Sequence, residues 1–172
     1  VIVCQNGVFG GRMKENVERC GATAVMVMDR WGDPVDPGKL EAAIKAHPDA
    51  KVVAFVHAET STGVRSDAGT LCRLAKDAGM LVIVDAVTSL AGIELKADQW
   101  GADVIYSGTQ KCLSGLPGIS PITFSDAAVE VIRSRTQKVQ SWFLDMNLIM
   151  GYWGEGATVS YTHLTLPTIL SV

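Results

Sequence analysis

The sequence predicts an α/β domain in which a mostly parallel sheet carries helices on both faces. Three observations predict it. Short runs of β-branched residues alternate with amphipathic stretches of helix length. The strand-like runs are apolar at successive positions rather than at every second one, the pattern of strands covered on both sides. The composition, 48% hydrophobic and 19% charged over 172 residues, is that of a globular chain with enough apolar side chains for one sizeable core.

The elements follow in order. Val1–Cys4, Ala24–Met28, Val52–His57, Leu81–Val84 and Val104–Tyr106 read as strands. Gly11–Cys20 and Lys39–Ala46 read as helices, with Trp31-Gly32-Asp33-Pro34-Val35-Asp36-Pro37 as a turn between strand and helix. In 67–78, Leu71, Leu74, Ala75 and Ala78 recur at offsets of three and four and form one apolar face; Ser66 or Asp67 can cap this helix and Gly79 can end it. A further helix is expected over 125–135, capped by Ser125 with Asp126 in its first turn. These units together give a doubly wound domain.

Composition excludes several function classes. Fifteen basic and eighteen acidic side chains give a net charge of −3 with no long single-sign run, so no phosphate-backbone footprint is present and nucleic acid is not an expected partner. Cys4, Cys20, Cys72 and Cys112 are widely spaced, with neither a Cys-x-x-Cys pair nor a zinc-like Cys/His spacing, and read as reduced thiols. The apolar runs are too short to span a bilayer and the first residues lack signal-peptide character, so no membrane partner and a cytoplasmic location are expected. The chain opens inside a strand pattern without an initiating Met, which reads as an incomplete N-terminus.

In an open α/β sheet the ligand crevice lies beyond the carboxyl ends of the strands. Four segments fall there: 6–11 (Asn-Gly-Val-Phe-Gly-Gly), 57–63 (His-Ala-Glu-Thr-Ser-Thr-Gly), 85–89 (Asp-Ala-Val-Thr-Ser) and 107–111 (Ser-Gly-Thr-Gln-Lys). Asp85 ends an apolar strand, where an ionised carboxylate needs a cation or strong hydrogen-bond donors; capping of the following turn is the alternative reading. Lys111 is a candidate imine-forming amine, with a solvated loop lysine as the alternative. His57, Glu59 and Ser61 suggest a hydrolase triad only superficially, because no Gly-x-Ser-x-Gly elbow is present. Gly7, Gly10 and Gly11 do not form Gly-x-Gly-x-x-Gly, so no dinucleotide site is expected. Cys112 reads as a small residue packed under the loop rather than as a nucleophile.

Taken together, 57–64, 84–90, 106–113 and the Pro117-Gly118-Ile119-Ser120-Pro121 segment closely resemble the alanine–glyoxylate and serine–glyoxylate aminotransferases. These are class V members of the fold type I pyridoxal-phosphate enzymes, and the resemblance extends over residues 1–158. It implies the large domain of such an enzyme, incomplete here. It also implies Lys111 as the lysine carrying pyridoxal 5′-phosphate as a Schiff base and Asp85 as the partner of the pyridinium nitrogen. Phe9 matches a ring-stacking aromatic, Thr60 a hydroxyl near the ring oxygen, and Gln110 a phosphate-holding residue. The implied reaction moves an amino group from a small amino acid, alanine or serine, to glyoxylate or a similar 2-oxo acid, in a homodimer; in a eukaryote the compartment would be peroxisomal or mitochondrial. Two alternatives stay open: another class V enzyme, such as a 2-aminoethylphosphonate transaminase or a cysteine desulfurase relative, or an inactive fragment.

The resemblance further implies a glycine-rich phosphate turn upstream of Val1, a substrate-carboxylate arginine beyond the chain and a Tyr-His-His-Thr segment after Thr158. Tyr161, His163 and Thr165 match that segment only superficially. Residues 159–172 carry no Asp, Glu, Lys or Arg and resemble the translation of a transposase-type sequencing adapter, so a non-native tail is expected there.

Overall fold

A computed structural model describes residues 1–151. The expected tail, 159–172, and Tyr161, His163 and Thr165 within it lie outside the described residues. The chain alternates strand and helix: β1 (Ile2–Gln5), α1 (Val8–Arg19), β2 (Val25–Met28), α2 (Pro37–Ala46), β3 (Val52–Val56), β4 (Ala58–Glu59), β5 (Val64–Arg65), α3 (Ala68–Asp77), β6 (Leu81–Asp85), α4 (Ala97–Trp100), β7 (Val104–Tyr106), β8 (Ile122–Phe124) and α5 (Asp126–Arg133). A 3-10 turn at Trp142–Leu144 and α6 (Met146–Met150) follow.

Six strands form one sheet in the order β2-β1-β3-β6-β7-β8; β8 alone runs antiparallel, against β7, while β4 and β5 form a separate two-stranded hairpin. The expected mostly parallel sheet is borne out. From β1 the chain steps one way to β2, then back past β1 to β3 and on to β6 and β7. With right-handed crossovers, that reversal puts α1 on one face and α2 and α3 on the other. The two cores show it. Ile2, Cys4, Val53, Phe55, Val82 and Val84 pack with Leu40 and Ile44 of α2 and Leu71, Cys72 and Ala75 of α3. Val3, Ala54 and Val56 pack with Met13 of α1, joined by Phe9, Ile83 and Tyr106.

Local chemistry explains most boundaries. Asp67 caps α3, its carboxylate accepting from the Thr70 N–H at 3.1 Å, and Ser125 caps α5 through the Ala128 N–H at 3.2 Å. Of the two residues able to cap α3, Ser66 is engaged elsewhere, its Oγ accepting the Val35 N–H at 3.1 Å. Gly79 leaves the helix with φ 72°, as expected of a C-terminal glycine.

Three expectations need correction. α2 starts at Pro37 rather than Lys39, because Asp36 caps it and proline suits the first helical position. α1 starts at Val8 rather than Gly11, so the 6–11 segment is a strand end running straight into a helix. Its glycines permit close packing: a Cβ on Gly10 would lie 2.7 Å from Gln5 Cα and 2.9 Å from the Cys4 carbonyl oxygen. The sheet also gains β8, which has no helix-length partner before it to betray it in the sequence.

Candidate active site

The reversal of crossover direction falls between β1 and β3, where a crevice opens beyond the strand ends in this architecture. Phe9 follows β1, Glu59 and Thr60 follow β3, and Asp85 closes the neighbouring β6. Strand alternation decides which face each side chain takes. Val82 and Val84 point to the α2/α3 core, so Asp85 points with Ile83 to the α1 face, where Tyr106 and Phe9 also lie.

Asp85 belongs to the strand itself, one residue beyond the expected end, and is 5% exposed. One carboxylate oxygen accepts the Val87 N–H at 2.9 Å; the other accepts the Tyr106 hydroxyl at 2.9 Å. No cation pairs with it among the described residues. Burial raises its pKa from the ordinary carboxylate value; the two hydrogen bonds oppose that rise and the negative charge of Glu59 adds to it. Burial and the Asp85 carboxylate likewise push the Tyr106 hydroxyl well above its usual value, so Tyr106 remains a donor. The Tyr106 contact was not singled out from sequence. Its cause is tertiary: Asp85 and Tyr106 are register partners on adjacent parallel strands and share a face.

Lys111 sits on the loop after β7, which is tied down at several points. Ser107 Oγ donates to the Ala86 carbonyl at 3.0 Å, Thr109 N–H to Ile119 at 3.1 Å and Gly115 N–H to Thr109 at 2.8 Å. A turn through Ser114, with the left-handed φ of 54°, closes on the Lys111 carbonyl. Cys112 is exposed rather than packed away, yet its Sγ donates to the Thr88 carbonyl at 3.4 Å and lies close against Gly92. That contact sets the Lys111 loop over the turn that follows Asp85. The Lys111 ammonium is exposed and makes no ion pair or hydrogen bond among the described residues.

The remaining predicted residues surround these two. Phe9 is half-buried in the first turn of α1, with the Arg12 guanidinium 4.6 Å from its ring centroid. Thr60 is exposed, its Oγ1 3.1 Å from Thr88 Oγ1, and Thr88 donates to the Ala58 carbonyl at 2.7 Å. Gln110 is exposed and lies against Gly108, where a Cβ would meet its Oε1 at 2.7 Å. His57 takes the opposite face, edge-on to Trp100 at 5.2 Å between centroids, and makes no contact with Glu59 or Ser61 that a triad would need. Among the described residues no cluster of His, Cys, Asp and Glu could hold a metal ion, and no helix is long and apolar enough to cross a membrane.

An exposed amine on a braced loop and a buried carboxylate with no cation beside it among the described residues, on an open α/β sheet, are a pairing suited to a ligand with a carbonyl and a cationic ring. Comparison with known proteins identifies the class. The family described as Aminotransferase class-V matches residues 12–139, and the chain belongs to this family.

Its relatives narrow the likeness. The alanine–glyoxylate aminotransferase of Rattus norvegicus is 34% identical over 168 residues, 98% of this chain and 40% of that protein. The (S)-ureidoglycine–glyoxylate transaminase of Bacillus subtilis is 32% identical over 96% of this chain and 44% of its own length. A crystal structure of alanine–glyoxylate aminotransferase from Nostoc sp. superposes with a TM-score of 0.88 at 38% identity, covering 93% of this chain and 42% of that one. The chain thus spans about two fifths of the length of these relatives.

Proposed function

We infer that the whole protein is a pyridoxal 5′-phosphate-dependent aminotransferase that moves an amino group from a small amino acid, alanine or serine, to glyoxylate or a similar 2-oxo acid, with this chain forming part of its large domain. The observation that carries the reading is Asp85: a buried carboxylate with two neutral donors and, among the described residues, no cation, next to a loop that presents Lys111. A protonated pyridine ring complements that uncompensated charge, and the exposed Lys111 amine suits its aldehyde. The amino acceptor follows from the relatives, whose names differ in the donor and share glyoxylate.

Lys111 would hold the cofactor through its amine, and the same amine, when free, would serve as the base for a proton at the substrate α-carbon. Asp85, its carboxylate oriented by the Tyr106 hydroxyl and the Val87 N–H, would keep a proton on the ring nitrogen. When bound, pyridoxal 5′-phosphate supplies an electron sink for the charge left at the α-carbon. Phe9, with Arg12 against one side of its ring, would hold the cofactor ring by stacking. Thr60, within 3.1 Å of Thr88, would hold the ring oxygen, and Gln110 the phosphate. Four free thiols, with burial pushing Cys4 and Cys72 up to about 12, suit a reducing cytoplasm. Exposed Leu116, Ile119, Trp142 and Leu144 suit an apolar contact in a homodimer.

The test is spectroscopic. Pyridoxal 5′-phosphate added to the protein should give an imine absorption band trapped on Lys111 by borohydride and located by peptide mass. In Lys111→Ala the band and the adduct should both be missing; a persistent band or a label on another lysine overturns the assignment.

A further inference from the structure

Glu59 is an unusual residue to bury. It is 1% exposed and pairs with no cation among the described residues. Its Oε1 accepts the Ser61 N–H at 3.1 Å and the Ser61 hydroxyl at 2.7 Å, and its Oε2 accepts the Phe9 N–H at 3.1 Å. Ser61 Oγ accepts in turn the Val8 N–H at 3.0 Å. Val8 and Phe9 are the first two residues of α1, whose own N-cap, Gly7, has no side chain to satisfy them. The cap therefore comes from some fifty residues downstream, from the β4 hairpin that follows the neighbouring strand β3. Gly7 is shaped for it: a Cβ there would meet Glu59 Cγ at 2.3 Å, Cδ at 2.5 Å and Ser61 Oγ at 2.5 Å.

We propose that Glu59 is a positioning residue of the site: with Ser61 it caps α1 from the β4 hairpin and fixes Phe9. That Phe9 serves a ligand there rests on the function proposed above. The two N–H groups that α1 leaves open are thereby held by side chains from another part of the chain, which locks the first turn of the helix and the Phe9 backbone in one position. Removing the Glu59 side chain and filling the space at Gly7 should therefore have the same consequence.

Both can be read in the cofactor-free 172-residue chain. In Glu59→Ala, amide exchange at Val8 and Phe9 should accelerate about fivefold or more, the effect of losing a helix cap, while Val82 and Val84 in β6 keep their protection and report that the sheet is intact. Gly7→Ala should reproduce the acceleration by displacing the carboxylate. Glu59→Gln keeps one acceptor oxygen where the Phe9 and Ser61 N–H groups both need one, so its exchange rates should fall between wild type and Glu59→Ala. Ser61→Ala should accelerate Val8, whose acceptor it removes, more than Phe9. Unchanged exchange at Phe9 in both Glu59→Ala and Gly7→Ala, or equal effects at Val8 and Phe9 in Ser61→Ala, overturns the proposal. A wild-type protein that forms no imine on Lys111 would instead defeat the proposed reaction, and leaves these readouts decisive for Glu59.

Discussion

Asp85 sets stability against ligand binding. Its folded pKa is raised above the unfolded value, so its contribution is fully present below the ordinary carboxylate range and is lost as pH rises through the folded value. At neutral pH the ionised group therefore weighs on the cofactor-free fold. Asp85→Asn, which keeps an acceptor for Val87 and a partner for Tyr106, should raise the urea midpoint at pH 7 and give no gain at pH 3; an equal gain at both would contradict this. The same variant should bind pyridoxal 5′-phosphate less tightly. His57 runs the other way. It is 2% exposed, its Nδ1 has no partner, and burial followed by the charge of Arg65 lowers its pKa from 6.5. The unfolded chain takes up the proton first, so this contribution is present above 6.5 and is lost as pH falls toward the folded value. His57→Phe should flatten stability against pH in that window, measured as urea midpoints at half-unit steps.

Among the elements, α1 does most to shape the site, because it delivers Phe9 and carries no cap of its own. Gly10 lets it lie against β1, and the backbone atoms that a methyl would meet cannot rotate away. Gly10→Ala should therefore cost about 1–3 kcal/mol in chemical denaturation, although alanine is the better helix former; a stabilised variant would show that the helix can shift outward. The helices whose caps adjoin them were legible: Asp67, Ser125 and Gly79 act as their residue types suggest. The start of α1 was not. Three glycines in a row of six read locally as a loop, and the cap that makes them helical sits on Glu59 and Ser61, far away in sequence.

For the molecule as a whole, stability rests on the two faces of one sheet, most heavily on the α2/α3 face. Phe55 is fully buried at its centre. Phe55→Ala should cost about 3–5 kcal/mol and unfold the chain as a unit. Leu116→Ala, at a side chain 84% exposed, should change denaturant stability by less than about 0.5 kcal/mol; a larger loss would mean that Leu116 is covered in solution. Periodicity already marks Leu71 as a core side chain, whereas Leu116 lies in a loop with no period to read, and its exposure is decided by the fold.

The sequence by itself determined the alternation of strands and helices, the mostly parallel sheet and the family, because these rest on local periodicity and on contiguous motifs at strand ends. Tertiary structure alone decided which face each of those motifs serves. His57 and Glu59 are two residues apart, yet one packs on Trp100 behind the sheet and the other caps α1 beside Asp85. The partners of Asp85 and of α1 come from separate strands, and only the order of strands in the sheet, set by crossover handedness, brings them together.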